Sequence, residues 1–260
     1  MTTAPMLEIR GMTKRFYGVT AVNAVDLRVD RGELVGLIGP NGSGKTTLMN
    51  CVTGLLRPDG GAVLIGGRNV TAWPPYRVAR LGVSRIFQVV RVMPTMTVVE
   101  NLLFATQEYQ GEPLWTRLLH FPASAGYDVR ARQRAEHLLE LIGLQERGAD
   151  PAWALSYGQR KLLAFASALM TEPDLLLLDE PMAAVNPSVI ERLAAAIREL
   201  HAQGRTLVVI EHNMKVIFEL CPRLVVLDRG EKIADGPADV VRADPRVIEA
   251  YFGVAKGRPA

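Results

Sequence analysis

Glu33-Leu-Val-Gly-Leu-Ile-Gly39-Pro-Asn-Gly-Ser-Gly-Lys45-Thr46-Thr47 decides the fold. Its first part is an apolar run entering a glycine-rich turn, as a strand buried on both faces of a parallel sheet does. Its second part, from Gly39 to Thr46, has the spacing G-x-x-x-x-G-K-[ST], and Lys45 to Gly54 continues as a helix that stops at a glycine. Glycines let successive backbone N–H groups curl toward one anion. The helix that follows turns its positive end to the same point. Lys45 adds a point charge for the β- and γ-phosphates, and the Thr46 hydroxyl suits Mg²⁺. Gly39, Asn41, Gly42, Ser43, Gly44, Lys45, Thr46 and Thr47 are therefore expected around the phosphates of a nucleotide.

Downstream, Leu175-Leu-Leu-Leu-Asp179-Glu180-Pro181 is an apolar run ending in two carboxylates. The carboxyl end of a parallel strand is where open α/β sheets bind ligands. Asp179 is placed to hold Mg²⁺, directly or through water, and Glu180 to orient and deprotonate an attacking water. Thr206 to Ile210 is a second buried run, and Pro187 to Ala202 reads as the helix between the two, giving a βαβ unit.

Leu7 to Leu37 opens with alternating strands, and Ala62 to Ile65 reads as another short strand. From Thr95 to Thr171 the pattern turns helical, with helices expected over Val98–Gln107, Arg130–Ile142 and Gly158–Met170 and a less regular stretch from Glu108 to Tyr127. Arg223 to Gly236 reads as a hairpin turning at Arg229-Gly230, followed by short helices from Pro237 and Pro245. The expected organisation is one domain over 1–253. Residues 1–94 and 172–236 form an α/β core with a β-subdomain, 95–171 a helical insert, 237–253 two terminal helices, and 254–260 a loose tail.

Apolar residues make up 48% of the 260 and charged residues 22%, which suits a globular protein with a sizeable core. A net charge of +3 without a basic stripe argues against nucleic acid as a partner. Cys51 and Cys221 have no metal-ligand spacing and read as reduced core thiols. The N-terminus does not look like a secretory signal, and Glu172, Pro173 and Asp174 interrupt the longest apolar segment, so no membrane-spanning helix is expected.

Leu155-Ser-Tyr-Gly-Gln159, ahead of Asp179, resembles the LSGGQ signature of ABC ATPases, with Tyr157 in place of the commoner Gly. The resemblance extends over Leu7 to Gly253. It implies an α/β fold: a P-loop NTPase (RecA-like) core with an antiparallel β-subdomain and an inserted α-helical subdomain. It also implies that Ser156, Gly158 and Gln159 meet the γ-phosphate bound by an opposite subunit, and that Gln88 senses Mg²⁺ and faces a transmembrane partner. His212 matches the switch histidine that contacts the γ-phosphate. Phe16 matches the aromatic that stacks on adenine, with its neighbour Tyr17 as the rival. Asn186 stands where most of the family has Asp in the D-loop, and Ala184 where this branch usually has Gly. On this resemblance Lys45, Glu180 and His212 are the catalytic residues, ATP and Mg²⁺ the cofactors, and Thr46, Gln88 and Asp179 the metal-binding residues.

The wording of Phe87 to Asn101, the LSYGQ form, Val209 to Met214 and Asp244 to Gly253 looks like the ATPase subunits of branched-chain (hydrophobic) amino acid importers. That branch implies transmembrane permease subunits as partners, a second ATPase subunit (a sister in preference to a second copy) and, indirectly, an external or periplasmic solute-binding protein. It implies peripheral attachment at the cytoplasmic face of the membrane. Urea or amide importers, separate-subunit exporters and soluble ABC ATPases remain alternatives. A P-loop GTPase is excluded by the lack of an N-K-x-D segment.

Overall fold

The computed structural model describes residues 4–86, 92–106 and 123–252. Strands β1 (Leu7–Phe16) and β2 (Val19–Val29) pair antiparallel across Tyr17 and Gly18. Both turn residues have positive φ, 45° and 88°, which matches the twist of a tight hairpin. Strands β4 (Gly60–Ile65) and the two-residue β5 (Arg68–Asn69) extend this antiparallel sheet to the order β2-β1-β4-β5.

The second sheet has the order β10-β9-β3-β8-β7-β6. Its strands β3 (Leu34–Ile38), β7 (Leu175–Asp179), β8 (Thr206–Ile210) and β9 (Arg223–Asp228) run parallel. Every residue of β3, β7 and β8 is buried, which is why these segments read as unbroken apolar runs. Strand β10 (Glu231–Pro237) returns antiparallel to β9 at one edge, turning at Arg229 and Gly230, and β6 (Val83–Ile86) lies at the other. Helix α1 (Lys45–Val52) supplies Leu48, Met49 and Val52 to a core shared with Leu7, Ile9 and Val22 of the first sheet and Val35, Leu177 and Val225 of the second. The carboxyl ends of the parallel strands face one way, so Gly39 after β3, Asp179 at the end of β7 and His212 past β8 emerge at one sheet edge.

The chain divides into two compact units: Met1–Arg85, Asp174–Glu180 and Leu200–Ala260 in the first, Ile86–Pro173 and Pro181–Glu199 in the second. The second is helical. It contains α3 (Val98–Phe104), α4 (Ala123–Ile142), α5 (Tyr157–Leu169) and α6 (Pro187–Ala202) up to Glu199. Thr97 and Glu100 form a capping box at the start of α3, each side chain bonding the other's backbone N–H. Leu102, Leu138, Leu139, Leu163 and Phe165 fill the interior of this unit. Arg134 ties α4 to the end of α5 through the Leu169 carbonyl and Glu172, the latter at 2.6 Å.

The structure departs from the sequence reading at several elements. Helix α4 begins at Ala123, seven positions before the expected Arg130. Helices α2 (Pro75–Ala79) and α7 (Met214–Leu220) and strands β5 and β6 were not anticipated. Most of α6 groups with the helical unit, whereas the reading set it in the α/β core. The reason is close packing inside that unit: a Cβ on Gly158 would lie 2.8 Å from Val189 Cγ2. The chain ends in α8 (Ala238–Ala243) and α9 (Pro245–Phe252). Among the described residues, no helix is long and apolar enough to cross a membrane.

Candidate functional site

The turn after β3 is shaped by two glycines that no other residue replaces. Gly39 and Gly44 have φ of 151° and 100°, and a Cβ on them would run into the backbone carbonyls of Leu227 and Ala21. Gly44 is also the N-cap of α1, which receives no side-chain capping bond. Its first-turn N–H groups are thus left for an external acceptor.

Lys45 is 5% exposed, and its ammonium donates to the Gly39 and Pro40 carbonyls at 2.7 and 2.9 Å. Burial holds its pKa below the ordinary lysine value, while the nearby Glu180 and Asp179 carboxylates pull it back up. A cavity of about 350 Å³ opens here, lined by Phe16, Ala21, Asn41 to Thr47, Glu180 and His212. All of these residues belong to the first unit. Phe16, the preferred adenine partner, lines the cavity with Lys14 Nζ 5.4 Å from its ring centroid, whereas Tyr17 is fully exposed at the hairpin turn and is not part of the lining.

Glu180 directly follows β7 with φ of 51°, a left-handed conformation that is strained for a side-chain-bearing residue. Its backbone N–H donates to the Ile210 carbonyl at 2.9 Å, tying it to the end of β8. His212 Nε2 lies 2.6 Å from Glu180 Oε1. An ionised carboxylate only accepts, so with Glu180 charged Nε2 carries the proton. This arrangement holds one carboxylate oxygen of Glu180 while the group faces the phosphate loop.

Asp179 is 7% exposed and does not line the cavity; its Oδ2 accepts from Arg85 Nη2 at 2.6 Å. Arg85 was missed in the sequence reading. Nothing local in Val83-Ser-Arg-Ile86 marks it, since its partner Asp179 lies far along the chain. Gln88 lies outside the described residues.

Ser156, Gly158 and Gln159 lie in the second unit, at the start of α5. The Gln159 N–H donates to Ser156 Oγ at 3.2 Å, and Gln159 Oε1 accepts from the Ser156 N–H at 2.9 Å. Arg147 Nη1 donates to the same Gln159 oxygen at 3.2 Å. Ser156 and Tyr157 are exposed. Lys161, a second residue the reading missed, is buried and donates to the Ala183 carbonyl at 2.6 Å, linking the signature helix to the segment before α6. Asn186 caps that helix through Val189 N–H at 3.0 Å. Asn caps as well as Asp does, so the substitution at this position costs the fold nothing that the cap supplies.

A phosphate loop, a carboxylate pair at a strand tip and a histidine one strand over define a nucleotide-hydrolysing cassette. Residues 22–183 match the family profile described as ABC transporter, and residues 231–257 match the one described as branched-chain amino acid ATP-binding cassette transporter. The chain belongs to the ABC transporter family and is an ATP-hydrolysing cassette of that family, with the P-loop ABC ATPase fold. It is 40% identical, over 96% of its length and 99% of the relative's, to the high-affinity branched-chain amino acid transport ATP-binding protein BraF of Pseudomonas aeruginosa. The same figures hold for LivG of Escherichia coli strain K12. Among solved structures, an ABC-transporter ATP-binding cassette in its ADP conformation aligns with a TM-score of 0.81 and 32% identity, covering 96% of this chain and all of that one. A dimeric post-hydrolysis cassette bound to ADP and Pi aligns with a TM-score of 0.74 and 26% identity, over 90% and 99% of the two chains.

Proposed function

We propose that this chain is the ATPase subunit of an importer for branched-chain or other hydrophobic amino acids. The observation that carries the amino-acid assignment is its end-to-end similarity to BraF and LivG, together with the C-terminal match over 231–257. On this reading it works at the cytoplasmic face of the membrane, peripherally, against permease subunits and beside a second ATPase, in preference a sister. An external or periplasmic solute-binding protein acts upstream of the permease.

The residues fit ATP with Mg²⁺. Thr46 and Asp179 offer hard oxygen donors, and Mg²⁺ is commonly held by one or two such ligands plus the nucleotide's phosphates. Gln88 is the third residue assigned to the metal on the family resemblance. The ion, when bound, offsets charge on the β- and γ-phosphate oxygens. Lys45 and the N–H groups of Gly42 to Thr46 bind the same oxygens, and Phe16 supports the base. Glu180 would take a proton from the attacking water, while His212, which bonds Glu180 Oε1 and lines the same cavity, would contact the γ-phosphate.

The helical unit serves as the inserted subdomain of the cassette. Ser156 and Gly158 complete the site of a facing ATPase, so ATP joins two subunits and hydrolysis releases them. Closure then follows from ATP's higher affinity for the joined state. The test is a pull-down of the tagged chain from solubilised membranes, followed by uptake assays. Co-recovery of two permeases and a similar ATPase, with ATP-dependent leucine, isoleucine or valine uptake, supports the reading. Recovery of an active ATPase with no membrane protein would overturn it.

A further inference from the structure

We propose that Arg85 is a positioning residue for the metal-side carboxylate, holding Asp179 in register with the phosphate loop. The inference rests on the reading of Asp179 as an Mg²⁺ ligand and adds a residue to it. Three observations carry it. The Arg85 and Asp179 side chains are 4% and 10% exposed and 2.6 Å apart, joining neighbouring strands β6 and β7. A second nitrogen of the same guanidinium, Nη1, donates to Asn50 Oδ1 at 2.7 Å and reaches Thr53 Oγ1 at 3.5 Å. Asn50 lies on α1, the helix that begins at Lys45, and Thr53 is its C-cap.

One planar group therefore spans the strand that presents Asp179 and the helix that presents Lys45 and Thr46. A guanidinium is suited to this, since its N–H donors sit in a rigid fork and it stays charged at all relevant pH. A lysine carries the same charge as a compact ammonium on a flexible stem, without the planar fork that sets two donors at a fixed spacing. Asp179 is engaged through Oδ2, so the arginine fixes the rotation of the carboxylate as well as its position. Partners of this kind, one step behind a metal ligand, typically affect metal affinity about 10–100-fold. Arg85 also offsets a buried carboxylate that would otherwise be costly in a water-poor site.

The experiment compares the whole chain with Arg85→Lys and Asn50→Ala. Each is titrated with a fluorescent ADP or ATP analogue, once in excess EDTA and once across a range of Mg²⁺, alongside thermal unfolding. In Arg85→Lys, EDTA-state nucleotide affinity is expected to stay within about two-fold, while the Mg²⁺ needed for half-maximal effect rises about ten-fold. Asn50→Ala removes the shorter of the two helix contacts and keeps the ion pair. Its Mg²⁺ requirement should move the same way by about two- to three-fold, keeping the test open if the arginine variant unfolds.

A merely structural role would lower thermal stability and both affinities together and leave the Mg²⁺ midpoint unchanged; that result in the two variants overturns the proposal. If wild-type nucleotide binding itself ignores Mg²⁺, the metal reading of Asp179 fails first and takes the proposal with it. That failure shows in the unmutated chain, so the two are distinguishable.

Discussion

Helices α1 and α5 both begin at residues assigned to phosphate contact, yet their N-termini are built in opposite ways. At α1 the cap is Gly44, with no side-chain bond, and the buried Lys45 ammonium bonds within its own loop. At α5 the cap is Ser156, and Gln159 and Ser156 satisfy each other's backbone N–H groups. The first end keeps its donors for a ligand; the second has two of its donors satisfied by its own side chains. Yet Ser156 Oγ, while it accepts from Gln159, still has its own proton to donate. Capping therefore fixes the direction in which that exposed hydroxyl can act. The difference suits a divided task, in which the first unit binds nucleotide within one chain and the signature meets a nucleotide held by another.

Substitutions can break this contrast, beginning with the chemistry. Glu180→Gln removes the proton acceptor and keeps the shape, so hydrolysis should fall about 10²–10⁴-fold while nucleotide still binds; single-turnover phosphate release checks this, and a parental rate would remove Glu180 from its role. Lys45→Ala deletes a charge-assisted donor in the cavity. A loss of about 2 kcal/mol, or some thirty-fold in affinity, is expected by calorimetry with MgATP.

Smaller changes sharpen the comparison at the second helix. Ser156→Ala removes a cap, and denaturant titration should show about 1 kcal/mol lost, with nucleotide affinity of the isolated chain unchanged. Ala184 is exposed at φ of 57°, in the left-handed region that favours glycine. Ala184→Gly should therefore stabilise the chain by up to about 1 kcal/mol, read from the same titration, through relief of left-handed strain. Least of all should happen at the thiols. Burial pushes Cys51 up to about 11 and Cys221 up to about 12. At pH 8 both stay protonated, so a thiol reagent should modify them only after unfolding, and fast native labelling would contradict their burial.

What could be read from the sequence follows the same physics. Strands β3, β7 and β8 are buried on both faces and announce themselves as apolar runs, and the glycine spacing between β3 and α1 admits few alternatives. Strand β6 could not be seen this way: four residues including Ser84 and Arg85 make no apolar run. Its arginine makes sense only once Asp179, far along the chain, is beside it. The Glu180–His212 contact is likewise set by two strands pairing, not by local pattern. Helix α7 did leave a signal, since Asn213 precedes its apolar positions and caps Val216 N–H at 3.3 Å, but its seven residues are short for periodicity to register. Placing α6 with the helical unit depended on the close approach of Gly158 to Val189, a contact between segments that sequence order separates.

The most direct test of the divided site is the nucleotide affinity of Ser156→Arg, measured on the isolated chain at a concentration where it is monomeric, beside its hydrolysis rate in the assembled transporter. A divided site requires affinity within about two-fold of the parental chain and hydrolysis largely lost. A loss of about ten-fold or more in monomer affinity would show instead that the signature serves the cavity of its own chain.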